Sequence, residues 1–253
     1  MKFGIIGFGN LGRSLASALI KSGSAVGGDI YVCDSSPEAR DAATSEPFSA
    51  HASGDANLII ADADVIFLTV KSYVFEELSK TIDRNGFAGK TVVSCMAGVT
   101  FEKIYSLIGD VSLIRAMPSL AIAVCDGVVG YTKSPPALEE IFKKFGYAFQ
   151  TEPEDIEKVM AFSACGLGYA AYLIDLFVAA GVLIGFSPEL SEDVATLTFK
   201  NAVDRGDYKG TVKAVATPGG ATEQGVAHMD KCGMYDIVAG AVLKAYEKMA
   251  GGR

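Results

Sequence analysis

The opening run KFGIIGFGNLGRSLASALIKSG constrains the fold more than any other stretch of the chain. Apolar residues lead up to Gly7, glycines recur at Gly9 and Gly12, and apolar residues follow at Leu15, Leu19 and Ile20. That is a short strand, a glycine turn and a helix joined without spare residues. In such a setting G-x-G-x-x-G gives each glycine a separate task. The first allows the tight turn, the second lets the backbone approach a pyrophosphate, and the third lets the helix pack close against the strand. The helix start then presents unpaired amides and a positive dipole end to the phosphates. Gly7, Phe8, Gly9, Asn10, Leu11 and Gly12 are therefore expected to bind a dinucleotide.

The alternation of strands and helices continues. DIYVCD (Asp29 to Asp34) reads as a second strand. DVIFLTV (Asp64 to Val70) is a continuous apolar run of the kind found in parallel strands covered on both faces. KTVVSCMAG, VSLIRAMP, GVVGYTK and YAFQT repeat the strand pattern, with helical stretches between several of them and a helix in SPPALEEIFKKFG. From about Glu154 the strands stop, and every later segment is helical by period or composition. The predicted architecture is an α/β Rossmann domain over residues 1–151, followed by an all-helical domain over residues 152–253.

Composition narrows the partners. A net charge of −8 over 253 residues opposes a nucleic-acid groove and an anionic membrane surface. The stretch Tyr169 to Phe186 is almost long enough to span a bilayer, but Asp175 near its middle and its glycines count against that. It is expected to be a core or subunit-interface helix. Five scattered cysteines, none in a C-x-x-C pair, and a start that runs directly into a strand fit a cytoplasmic protein with reduced thiols. The two histidines lie far apart, and no metal pattern is present.

Asp34 ends the second strand, where an acid takes the adenosine ribose hydroxyls and repels a 2′-phosphate. No Arg or Lys follows immediately, which leans toward NADH over NADPH, although Ser35 and Ser36 could still hydrogen-bond a phosphate. The plainer alternative is a strand-end acid facing water.

Several stretches also fall into one known order: GFGNLG, Val70-Lys71, SCMAGVT (Ser94 to Thr100), RAMPS (Arg115 to Ser119), FSACGLGYAAY (Phe162 to Tyr172) and VATPGGAT (Val215 to Thr222). Together they resemble the pyrroline-5-carboxylate reductase family over essentially the whole chain. The resemblance implies a Rossmann domain followed by a helical dimerisation domain that interleaves with a second subunit, in a homodimer or higher homo-oligomer. It implies hydride transfer from NAD(P)H to the cyclic imine 1-pyrroline-5-carboxylate, giving L-proline in proline biosynthesis. The nicotinamide would lie near Val70, Lys71, Met96, Ala97 and Gly98, with Met117, Pro118 and Ser119 lining the substrate side of the cleft. The loop of Gly219, Gly220, Ala221 and Thr222 would receive the substrate carboxylate, and the Thr222 hydroxyl would orient the ring nitrogen. A cyclic imine can bind already protonated, so catalysis would consist mostly of positioning.

The departures from the family pattern cluster at the substrate end. Ser119-Leu120-Ala121 stands where the family usually has Asn-Thr-Pro, Leu167-Gly168 where it has Pro-Ala, and Tyr208-Lys209 where a His-Pro pair is expected. They leave open a paralogue acting on a different cyclic imino acid, or a catalytically silent dinucleotide-binding sensor or assembly protein. Glu223, after Thr222, reads either as a first-turn acid favourable to the helix dipole or as a pocket residue. Arg115 reads equally as a structural ion pair or a ligand contact.

Overall fold

In the computed structural model, which describes residues 1–251, the strand runs of the first half form one sheet. β1 (Phe3–Ile6), β2 (Ile30–Cys33), β3 (His51–Ser53), β4 (Val65–Leu68), β5 (Thr91–Ser94) and β6 (Ser112–Pro118) are parallel. β7 (Gly127–Tyr131) pairs antiparallel with β6, and β8 (Gly146–Gln150) runs parallel to β7. The spatial order is β3-β2-β1-β4-β5-β6-β7-β8. Its first six strands have the Rossmann order, which reverses direction between β1 and β4 and opens a crevice at their carboxyl ends.

β1, β2 and β4 are buried at every position, as strands covered on both faces must be. Alternate residues feed different cores. Val65 and Phe67 of β4 join Phe3, Leu15 and Leu19 on one face, while Ile66 and Leu68 join Ile6, Phe75 and Ile104 on the other. The covering helices are α1 (Asn10–Lys21), α2 (Pro37–Thr44), α3 (Ala56–Asp62), α4 (Ser72–Ser79), α5 (Phe101–Ile108) and α6 (Pro136–Lys144). Side-chain caps fix three of their starts: Ser36 accepts from the Ala39 amide, Asp55 from Asn57 and Thr100 from Lys103.

After β8, α7 (Ile156–Val159) passes through a π-turn at Met160–Ala164 into α8 (Cys165–Leu183). α9 (Pro188–Arg205), α10 (Tyr208–Val215), α11 (Ala221–Lys231) and α12 (Met234–Ala250) complete the helical part. By compactness the chain divides into a first unit, Met1–Cys165 with the segment from Ala245 onward, and a second, Gly166–Lys244. α8 buries none of its residues in the single chain, and Leu183 is 86 % exposed. The helix ending at Leu183 is long and apolar enough to cross a membrane by those two criteria alone.

Candidate dinucleotide and substrate sites

The glycine turn sits at the carboxyl end of β1, and each glycine meets a different constraint. Gly7 has φ +102°, and a Cβ there would stand 2.7 Å from Val70 Cγ1. A Cβ on Gly12 would fall 2.1 Å from the Gly7 carbonyl, so only glycine lets α1 start this close to the turn. Beside Gly9 nothing lies within 4 Å of the Cβ position, which leaves room for a ligand to approach the backbone. No side chain caps α1 and no acid occupies its first turn, so its leading amides are presented to an anion without competition from a side-chain carboxylate. This arrangement fits a dinucleotide pyrophosphate.

Three side chains hold the turn in shape. Thr69 Oγ1 donates 2.6 Å to the Gly7 carbonyl, with the Ile6 carbonyl at 3.0 Å. Arg13 Nε donates to the Phe8 carbonyl at 3.1 Å. Asp34 Oδ2 accepts the Phe8 amide at 2.6 Å, while Oδ1 accepts the Ser36 amide at 2.9 Å. Asp34 therefore braces the turn as well as standing at the end of β2. The Phe8 ring is buried edge-on against Phe48, so the backbone of Phe8 belongs to the turn and its side chain to the core. Arg40 places Nη1 on the Asp34 and Ser35 carbonyls at 2.8 and 2.9 Å, a cation that sequence spacing did not single out.

Gly7, Gly9, Asp34, Ser35, Val70 and Lys71 come together around one cavity of about 330 Å³, which Val74 and Leu78 also line. Asn10, Leu11 and Gly12 form the first turn of α1. Met96 and Gly98 line a separate cavity of about 460 Å³ with Ser72 and Lys103, and Ala97 between them is exposed. Met117, Pro118 and Ser119 are buried at the end of β6. Met117 packs against Ile156 and Val159. The Ser119 hydroxyl accepts from the Val128 amide at 3.0 Å, so it ties β6 to β7. Cys95, next to Met96, has its thiol pushed up to about 12 by burial, which removes it as a thiolate nucleophile at neutral pH.

The Pro-Gly-Gly loop lies in the second unit. The Gly220 amide donates to the Thr217 carbonyl at 2.8 Å, with Pro218 at the next position and Gly219 at φ +75°. Those are the marks of a type II turn, which demands a residue tolerant of positive φ at its third position. The Gly219 amide donates to Glu223 Oε2 at 2.7 Å. Of the four residues expected to meet a carboxylate, two thus have their amides engaged within the loop, and Ala221 and Thr222 open α11. Glu223 is a first-turn acid that reaches back over the turn. Thr222 is exposed.

Residues 2–98 match the family model described as NADP oxidoreductase, coenzyme F420-dependent, and residues 153–251 match the model for pyrroline-5-carboxylate reductase dimerisation. With the glycine cradle, these matches define an NAD(P)-dependent oxidoreductase that carries a helical association domain. The chain is 29 % identical over 260 residues to the pyrroline-5-carboxylate reductase of Escherichia coli (strain K12), covering 98 % of this chain and 96 % of that protein. It is also 29 % identical over 263 residues to the enzyme of that name from Aquifex aeolicus, with the same coverage. The crystal structure of Plasmodium falciparum pyrroline carboxylate reductase, with NADP bound, superposes with a TM-score of 0.90 at 21 % identity, over 100 % of this chain and 98 % of that one. Across nearly its full length the chain is similar to pyrroline-5-carboxylate reductases, and its helical part matches that family's dimerisation domain.

Proposed function

We propose that this protein reduces 1-pyrroline-5-carboxylate to L-proline with NAD(P)H. The observation that carries the reading is the pairing, in one chain, of the three-glycine cradle with an intact Pro-Gly-Gly-Ala-Thr loop. The near full-length similarity to reductases of that name supports it. Residues 1–151 serve as the dinucleotide-binding domain and residues 152–253 as the helical dimerisation and substrate domain. Gly7 to Gly12 hold the pyrophosphate, and Asp34 and Ser35 meet the adenosine ribose. Val70, Lys71 and the turn of Met96, Ala97 and Gly98 flank the nicotinamide.

The bound dinucleotide supplies the hydride. The protein orients the imine: Met117, Pro118 and Ser119 border its pocket, the loop from Gly219 to Thr222 takes its carboxylate, and the Thr222 hydroxyl fixes the ring nitrogen. For the loop to offer the Gly219 amide, the substrate carboxylate replaces Glu223 there, while the Gly220 amide stays on the Thr217 carbonyl and holds the turn. Asp34 carries the lean to NADH, and Arg40 on the neighbouring carbonyls is its counterweight. The apolar exposure of α8 and the dimerisation match support a homodimer or larger assembly through the C-terminal helices. Cytoplasmic location, with no nucleic-acid or membrane partner, follows the charge and cysteine pattern.

The test is oxidation of NADH and of NADPH by the purified protein with pyrroline-5-carboxylate, beside pyrroline-2-carboxylate and piperideine-6-carboxylate. Turnover of the first above the others is expected, and the ratio of kcat/KM between cofactors decides the role of Asp34. Tight dinucleotide binding with no turnover of the first imine overturns the reading in favour of another imine or of a sensor.

A further inference from the structure

The first unit buries one ion pair that the proposed chemistry does not use. Arg115, in β6, is 3 % exposed, and Glu157, in α7, is 4 % exposed. Arg115 Nη2 donates to Glu157 Oε1 at 2.7 Å and to the Met96 carbonyl at 2.9 Å. The same Glu157 Oε1 accepts the Gly98 amide at 3.1 Å. Both ends of the turn Met96-Ala97-Gly98 are thus tied to a single pair of charges.

As a stabilising device the pair is poorly built. Burying two charges costs as much as their attraction returns unless the remaining donors and acceptors are satisfied. Here Arg115 Nε and Glu157 Oε2 are both buried without a hydrogen-bond partner among the described residues. What the pair does accomplish is geometric. Gly98, at φ +67°, is backed by the Met249 carbonyl, 3.0 Å from where a Cβ would stand. The turn is fixed by the ion pair through Met96 and Gly98, is backed by the end of α12, and leaves Ala97 exposed between them.

We infer that Arg115 and Glu157 are positioning residues for the reaction, which set the Met96–Gly98 turn and through it the height of the nicotinamide, without touching dinucleotide or imine. The inference rests on the reading above that this turn flanks the nicotinamide. A displacement of about 1 Å in such a support can cost on the order of a hundredfold in rate. The loss should therefore fall on kcat and spare the KM for the imine.

The double variant Arg115→Met/Glu157→Leu removes both charges together and should keep its Tm, because apolar replacement of a whole buried pair is often neutral. Its kcat should fall roughly tenfold or more with the imine KM little changed. A folded double variant with wild-type kcat overturns the inference. If it does not fold, Glu157→Gln is compared with Glu157→Leu. Gln keeps an oxygen for the Gly98 amide and should recover most of the kcat lost in Leu, and equal rates in the two overturn the inference. Amide exchange at Gly98 in the wild-type protein is the check that needs no variant: slow exchange is expected, and exchange as fast as in an open loop overturns it. Wild-type turnover of pyrroline-5-carboxylate is measured alongside. Failure there removes the functional reading alone, while the exchange result still decides whether the pair holds the turn.

Discussion

The two units use the same apolar residue types in opposite directions. In the first, Phe3, Phe67, Phe75 and Phe145 are fully buried, and alternate residues of each inner strand feed two cores. In the second, α8 is at least as apolar yet buries nothing, and Tyr172, Phe177, Leu183 and Ile184 stand exposed. Apolar surface on that scale marks an interaction face in a soluble protein. An apolar run therefore says that a segment will be covered, and leaves open whether its own chain or another does the covering.

That contrast can be broken at its strongest point first. Phe67→Ala should cost the first unit about 3–5 kcal/mol, read as a denaturant midpoint that does not move with protein concentration. Leu183→Asp should leave the free chain's fold intact, because the side chain lies in solvent there, and should weaken association by about 2 kcal/mol per copy from lost apolar burial. Sedimentation should show a smaller particle, and the wild-type rise of Tm with concentration should disappear. An unchanged mass would mean that this face is not the interface.

Thr222→Ala sharpens the division of labour between the units. Dinucleotide affinity, seated in the first, should hold while kcat falls by roughly tenfold. Unchanged turnover would remove Thr222 from the chemistry. The smallest expected effect is on thiol reactivity. Burial pushes the Cys33 thiol up to about 11 and that of Cys95 to about 12, from an ordinary value of 9.0. A raised folded value means the fold keeps its protons where the unfolded chain loses them. The stability these thiols lend is intact below about pH 9 and is lost as pH rises toward 11 and 12. Alkylation of the folded protein at pH 8 should leave both unmodified, and rapid labelling of Cys95 would show that its surroundings open.

Much of this was legible before any coordinates. A glycine turn between a strand and a helix, with continuous apolar runs after it, pointed to a Rossmann domain, and the first six strands are parallel in the Rossmann order. β3 escaped because His51-Ala52-Ser53 is three residues long and has neither an alternating pattern nor β-branched residues. Thr69 escaped because a hydroxyl at a strand end looks the same whether it meets water or two carbonyls of the glycine turn. Glu157 sits close behind Glu152, Glu154 and Asp155, and only a partner 42 positions away distinguishes it. The Pro-Gly-Gly turn was readable from its residues, but the reach of Glu223 back to Gly219 depends on a rotamer that no spacing specifies.

The backing of Gly98 by Met249 ties together residues that are synthesised far apart in time. The buried residues of the two main cores all lie before position 146, so those cores can form early in synthesis. The support behind the 96–98 turn waits until α12 has been synthesised. A nascent chain can therefore close its glycine turn before the 96–98 turn gains its backing from α12.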